Sequence, residues 1–283
     1  MTLCWSAAGL WCFMVKKGGL AMARVTTEIK DHIAHVTLTR ADKRNAVDPA
    51  MAEALVSTGQ ALSEADIRAV VLSGEGRAFC AGLDVMSFAQ LAAGDPEALC
   101  LPRTHGTGNL FQAVVMVWRD LPVPVIAALH GAVYGAGFQL ALGADVRIAA
   151  PDTELAIMEM KWGLIPDMGG MALLPKLTRS DVIRRMTYTA RPVSAVQARD
   201  WGLVTELADD PLAMARDLAS EIAGKSPAAI RAAKRLIGLA ESGADEAAVL
   251  MAESREQAAL IGKPDQMEQI AANLAGRAPV FRG

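Results

Sequence analysis

Three segments of the chain carry residues whose types and spacing suit chemistry. Phe79-Cys80-Ala81-Gly82-Leu83-Asp84 comes shortly after a continuous apolar run, Ala69-Val70-Val71-Leu72. Gly131-Ala132-Val133-Tyr134-Gly135-Ala136-Gly137-Phe138-Gln139 follows a second apolar run at residues 123–129. Small residues let a ligand approach the main chain, and glycine permits turns that aim N–H groups outward. Two such loops converging on one oxygen would form an oxyanion hole. Tight strand–helix packing uses the same residue types, and for either loop alone it is the commoner reading. A dinucleotide-binding reading of Gly135-x-Gly137 lacks the third glycine at the required offset.

The third segment, residues 158–170, holds Glu159 between Met158 and Met160, with Trp162 close by. A carboxylate among such neighbours loses solvent, which disfavours its charged form and lifts its pKa toward the range useful for proton transfer. In isolation a surface glutamate is the ordinary reading. No nucleophile elbow, H-E-x-x-H helix or Walker loop competes. His32, His35, His105 and His130 have no partners at motif spacing. Cys4, Cys12, Cys80 and Cys100 show no C-x-x-C pair, so neither a zinc cage nor a thioredoxin-like site is indicated. Buried or incidental thiols in a reducing cytoplasm are expected, and no metal.

The elements that must position these segments follow from pattern and composition. The 283 residues are 52% apolar and 21% charged, which excludes a disordered chain and fits one large α/β domain. The net charge of −3 leaves no broad basic surface, so nucleic acid is not an expected partner. With 5 Trp, 2 Tyr and 6 Phe, the core must be mostly aliphatic. Residues 25–30 and 33–39 read as a hairpin about Asp31-His32. Asp48-Pro49 opens a helix that runs to about Ser63. Residues 69–72, 123–129 and 146–149 read as buried strands, residues 110–119 as a helix, and the polar stretch 94–108 as a mobile segment. The alternation of strand and helix gives an α/β class.

From about Pro211 the apolar spacing becomes helical, with helix starts at Ser226-Pro227 and Lys263-Pro264. The expected organisation is a core over residues 22–210 holding the site and a helical region over residues 211–283. Residues 1–21 are apolar, but Lys16 and Lys17 follow the apolar run, the wrong order for a secretory signal, and the run is too short to span a bilayer. They are read as an upstream extension or disordered tail, with Met22 as the expected start. The uncharged stretch 121–144 contains Pro122, Pro124 and four glycines, and so reads as strand, turn and short helix. No membrane association and a cytoplasmic location are expected.

Taken together and in order, these segments resemble the crotonase (enoyl-CoA hydratase/isomerase) superfamily over nearly the whole chain from Val25. The resemblance rests on Asn45-Ala46-Val47, on Gly76-Arg77-Ala78-Phe79-Cys80-Ala81-Gly82-Leu83-Asp84, and on Pro124 to Gly131 followed by Gly135-Ala136-Gly137. Gly163-Leu164-Ile165-Pro166 with Gly169-Gly170, and Ala198-Arg199-Asp200-Trp201-Gly202-Leu203-Val204, complete it. It implies a spiral of ββα units with a C-terminal helical region that joins trimers, often stacked into hexamers. It implies an acyl-CoA thioester ligand, with coenzyme A as part of the substrate and no separate cofactor.

By position, the N–H groups of Leu83 and Ala136 would hold the thioester oxygen, each stabilising an enolate by roughly 3 kcal/mol. Ala46, Ala81 and Asp84 would form the coenzyme A-binding set, and the acyl tail would run past residues 88–108. Glu159 matches the second glutamate of the family's hydratases, while Gln139 stands at the first. Gln139 can orient a water but cannot exchange a proton near neutral pH. Asp167 lies eight residues after Glu159, where the family's dienoyl-CoA isomerases carry an aspartate. The expected activity is of the enoyl-CoA hydratase/isomerase type, in fatty-acid β-oxidation, with Glu159 as proton carrier. Dienoyl-CoA isomerisation, thioester hydrolysis, decarboxylation and a non-catalytic acyl-CoA binder are the alternatives.

Overall fold

The computed structural model describes residues 23–87 and 94–281. The expected extension over residues 1–21, with Cys4 and Cys12, and residues 88–93 of the expected acyl channel lie outside the described residues. Two strands open the fold, β1 (Val25–Lys30) and β2 (Ile33–Leu38), paired antiparallel. Asp31 and His32 between them both take positive φ, the two-residue turn whose twist matches that of the strands. The strands that follow are β3 (Ala69–Gly74), β4 (Val125–Leu129), β5 (Ala132–Tyr134), β6 (Val146–Ala149), β7 (Glu154–Ala156), β8 (Val193–Ser194) and β9 (Glu206–Leu207).

They form two sheets, β1-β2-β3-β4-β6-β9 and β5-β7-β8. In the large sheet every pairing after the hairpin is parallel. The chain passes from β4 in the large sheet to β5 in the small one, returns through β6, and passes on to β7. That alternation is the turn of a spiral. Helices return the chain between turns, as parallel strands require.

The middle of the large sheet is covered on both faces, so β3 and β4 are nearly all apolar and β4 is buried at all five positions, whereas β1, at the edge, alternates half-buried and exposed residues. On one face Ala69, Val71, Ile126, Ala128 and Ile148 pack with Ala215, Ala219 and Ala223 of the helix Pro211–Ala223. Alanine on both sides lets that helix lie close to the strands. On the other face lie the helices Pro49–Ser63 and Leu110–Arg119, with Trp118 fully buried between them and the sheet. The Asp48 carboxylate caps the first of these by accepting from Met51 N–H, and Asn109 caps the second in a reciprocal box with Gln112.

From Pro211 to Ala275 the described chain is helical: Pro211–Ala223, Pro227–Glu241, Glu246–Leu260 and Pro264–Ala275. The segment 94–108, expected to be irregular, contains the short helix Pro96–Cys100, because Asp95 accepts from Glu97 N–H at its start. Among the described residues no helix is long and apolar enough to cross a membrane.

One buried amide fastens the first turn of the spiral to the second. Asn45 is fully buried with φ +56°, a conformation that asparagine tolerates better than most residues. Its Nδ2 donates to Glu75 O and Ala78 O, both at 2.9 Å, and its Oδ1 accepts from Arg40 N–H at 2.9 Å. Asn45→Ala would leave those three main-chain groups without partners at an unfavourable φ. It is expected to lower stability by about 3 kcal/mol in equilibrium denaturant unfolding, and a loss below about 1 kcal/mol would show that the amide is not the staple.

Candidate active site

The two glycine-rich loops are joined by main-chain pairing. Cys80 N–H donates to Ala132 O at 3.2 Å, and Tyr134 N–H donates to Cys80 O at 3.0 Å. Gly137 lies directly against this joint, where an added Cβ would stand 2.2 Å from Cys80 O. Only glycine lets the helix Ala136–Leu142 begin so near the first loop. Cys80 itself is inert: burial pushes its thiol up to about 12, and its Sγ donates to Asn45 O.

Beyond the joint, the amides of Leu83 and Ala136 have no protein acceptor among the described residues, while three near them are engaged. Val47 N–H donates to Gly82 O at 2.8 Å, Asp84 N–H to Val47 O at 2.9 Å, and Gly135 N–H to Ala156 O at 2.9 Å. Ala136 is almost fully buried. Two unclaimed N–H donors on adjoining loops suit an oxygen that gains negative charge.

Gln139 and Glu159 meet as a pair. Gln139 is 1% exposed, and its Nε2 donates to Glu159 Oε1 at 2.7 Å. Its Oε1 accepts from Met168 N–H at 3.0 Å and Gly170 N–H at 3.1 Å. With two donors already on it, that oxygen is committed to the main chain. Glu159 Oε2 is buried and has no hydrogen-bond partner among the described residues. Burial raises the Glu159 carboxyl above its ordinary value, and the charge of Asp167 adds to the effect against the Gln139 hydrogen bond. Asp167 keeps contact with solvent, yet the protein crowded around its carboxyl raises that pKa too.

The expected coenzyme A-binding residues gather on one loop system. Ala81 N–H donates to Arg44 O, and Ala46 O accepts from Arg40 Nη1 at 2.9 Å. Asp84 does not face outward as a free acid. Its Oδ2 stands 2.7 Å from Arg40 Nη1, and Arg40 also reaches Asp48, which Arg24 holds from the far side. Burial opposes ionisation of Asp84, but Arg40, the Met86 N–H and the charge of Lys43 outweigh it and hold the carboxyl below its ordinary value. Arg40, absent from the sequence-based set, is therefore the latch of this loop. No local signal marks it in the sequence, because its partner Asp84 lies 44 positions away.

A comparison with protein families matches residues 28–283 to the model described as Enoyl-CoA hydratase/isomerase. The chain is 35% identical over 235 residues to the mitochondrial Delta(3,5)-Delta(2,4)-dienoyl-CoA isomerase of Mus musculus, covering 80% of this chain and 72% of that protein. It is 30% identical over 265 residues to the (E)-benzylidenesuccinyl-CoA hydratase of Thauera aromatica, covering 92% of this chain and 99% of the relative. A solved Streptomyces coelicolor A3(2) structure assigned as an enoyl-CoA hydratase superposes with TM-score 0.83 at 34% identity, over 96% of this chain and 98% of that one.

The joint at Gly137 makes a direct prediction. Gly137→Ala drives a methyl group into a main-chain carbonyl that cannot swing aside, and should cost about 3 kcal/mol in denaturant unfolding. A variant within about 0.5 kcal/mol of the parent would mean that the two loops are not held in contact.

Proposed function

The chain belongs to the enoyl-CoA hydratase/isomerase family, and from that we propose that it isomerises an unsaturated acyl-CoA thioester, moving a proton between two carbons of the substrate. The observation that carries this reading is the environment of Glu159. One of its oxygens is occupied by an amide that exchanges no proton, and Asp167 is the charged group that bears on it. Hydration calls for a group that holds and deprotonates water beside a second that delivers a proton. Gln139 neither deprotonates a water nor delivers a proton, since an amide exchanges none near neutral pH, and its oxygen is held by Met168 and Gly170 N–H. The likeness to a dienoyl-CoA isomerase supports the same reading, while the likeness to a hydratase over 92% of the chain is what keeps hydration as the rival.

In this mechanism Glu159, ionised, takes a proton from the carbon next to the thioester carbonyl. The electron pair moves into the enolate, and the thioester oxygen carries the charge against the N–H groups of Leu83 and Ala136. The conjugated enolate is then reprotonated at its far carbon by Asp167; Asp167 regains a proton from solvent, and Glu159 releases the one it took, before the next turnover. One proton is removed and one returned, so no water is consumed. Ala46, Ala81 and Asp84 belong to the loop assigned to coenzyme A, with Asp84 acting through Arg40. The expected trimer or hexamer is supported by large apolar side chains left exposed on the C-terminal helices, among them Ile237, Leu250, Met251, Met267 and Leu274. A cytoplasmic location remains the proposal from sequence, beside a mouse relative that is mitochondrial.

A panel of 2-enoyl-, 3-enoyl- and 3,5-dienoyl-CoA tests this. Absorbance of the conjugated thioester should grow with the 3-enoyl or 3,5-dienoyl substrates, with little loss of the 2-enoyl signal. Rapid consumption of 2-enoyl-CoA alone would establish a hydratase instead. Glu159→Gln should lower kcat by about 10²–10⁴ while leaving acyl-CoA binding intact, because only the proton carrier is lost. Full turnover in that variant would remove Glu159 from the mechanism.

A further inference from the structure

Gln139 is treated above as the residue standing where a hydratase has an acid, but its contacts run in two directions. Its oxygen accepts from Met168 and Gly170 N–H, and its nitrogen donates to Glu159 Oε1. No other orientation of the amide satisfies these neighbours, because two main-chain donors require an acceptor and a carboxylate requires a donor. The approach is tight: a Cβ on residue 170 would come 2.8 Å from Gln139 Oε1, so Gly170 is what admits the amide. Asp167 directly precedes Met168, so the same amide fixes the turn that carries the second acid.

The two oxygens of Glu159 are thereby made unequal. Oε1 receives an N–H and so is the poorer site for a proton; Oε2 is buried and has no hydrogen-bond partner among the described residues. We propose that Gln139 is a positioning residue that designates Glu159 Oε2 as the atom exchanging a proton with substrate and sets the Asp167 turn in register with it. The inference rests on Glu159 being the proton carrier. It goes beyond that reading by naming the reacting oxygen and the group that selects it.

The role has a signature that simple packing lacks. In Gln139→Glu the new carboxyl still accepts from the two main-chain N–H groups, but it donates to Glu159 Oε1 only while protonated. The log kcat–pH profile of the parent should fall on the acid side, as Glu159 takes up a proton, and on the basic side, as Asp167 loses the proton it delivers. The Gln139→Glu profile should gain a further basic limb where the paired acids lose their shared proton, with kcat dropping more than tenfold. KM for the acyl-CoA should stay within about twofold, since the thioester oxygen and the coenzyme A loop are untouched. Gln139→Met removes the donor without adding an acid. It should shift the acid limb to higher pH, because the hydrogen bond that favours ionised Glu159 is gone, and should add no basic limb.

Parent-like profiles in whichever variant folds would overturn the proposal, as would the further basic limb appearing in Gln139→Met as well as in Gln139→Glu. Glu159→Gln, run alongside, separates the two levels. If it remains active, the proton-carrier reading fails. If it is inactive while the Gln139 profiles match the parent, only the positioning role fails.

Discussion

The main-chain pairing of the Cys80 segment with β5 sets the geometry on which the rest of the site depends. Cys80 bridges to Val133, Val133 is in register with Leu155 of β7, and Leu155 with Val193 of β8. This single row of residues crosses the small sheet and aligns successive turns of the spiral. Leu83 lies three residues beyond the row on its turn, Ala136 three beyond on the next, and Glu159 four beyond on the third. Groups separated by 53 and 23 positions in the sequence thus leave one edge together. The close contact at Gly137 fixes how near the first two can come.

Electrostatics in the site are divided by pairing. The ion pairs, Arg40 with Asp84 and Asp48 and Arg24 with Asp48, lie on the loops that hold Asp84, where each carboxylate is matched by a guanidinium. Around Gln139 the donors are neutral amides, and the acids there are Glu159 and Asp167, neither of which is paired with a cation among the described residues. An unpaired carboxyl in partial burial has its pKa raised, whereas a paired one is held down. The fold therefore keeps the acids suited to proton exchange apart from those that serve as struts.

Much of this was legible in the sequence, because it is local. Asp48-Pro49, Ser226-Pro227 and the run at residues 69–72 each carry their structural meaning within a few positions, and the elements begin where those signals place them. The strands of the small sheet were not legible: at two or three residues each, they are too short for any alternation to register. The wiring of the side chains was hidden for a different reason. Gln139 meets Met168 and Gly170 across 29 and 31 residues, and Arg40 meets Asp84 across 44, so no window of sequence contains both partners. Gln139 could be identified as a departure from an acid, but its partner on each side of the amide is a property of the fold.

The donors assigned to the substrate oxygen belong to the main chain, and this separates two kinds of inheritance. Any residue except proline at positions 83 and 136 supplies the same N–H, so in the proposed mechanism the hold on a thioester does not depend on a functional side chain there. In the same proposal, what is done with the held molecule rests on three side chains, at positions 139, 159 and 167. Single substitutions at those three positions can thus exchange one reaction for another without rebuilding the holder. A scaffold of this construction is predisposed to diversify in chemistry while staying constant in the class of molecule it accepts.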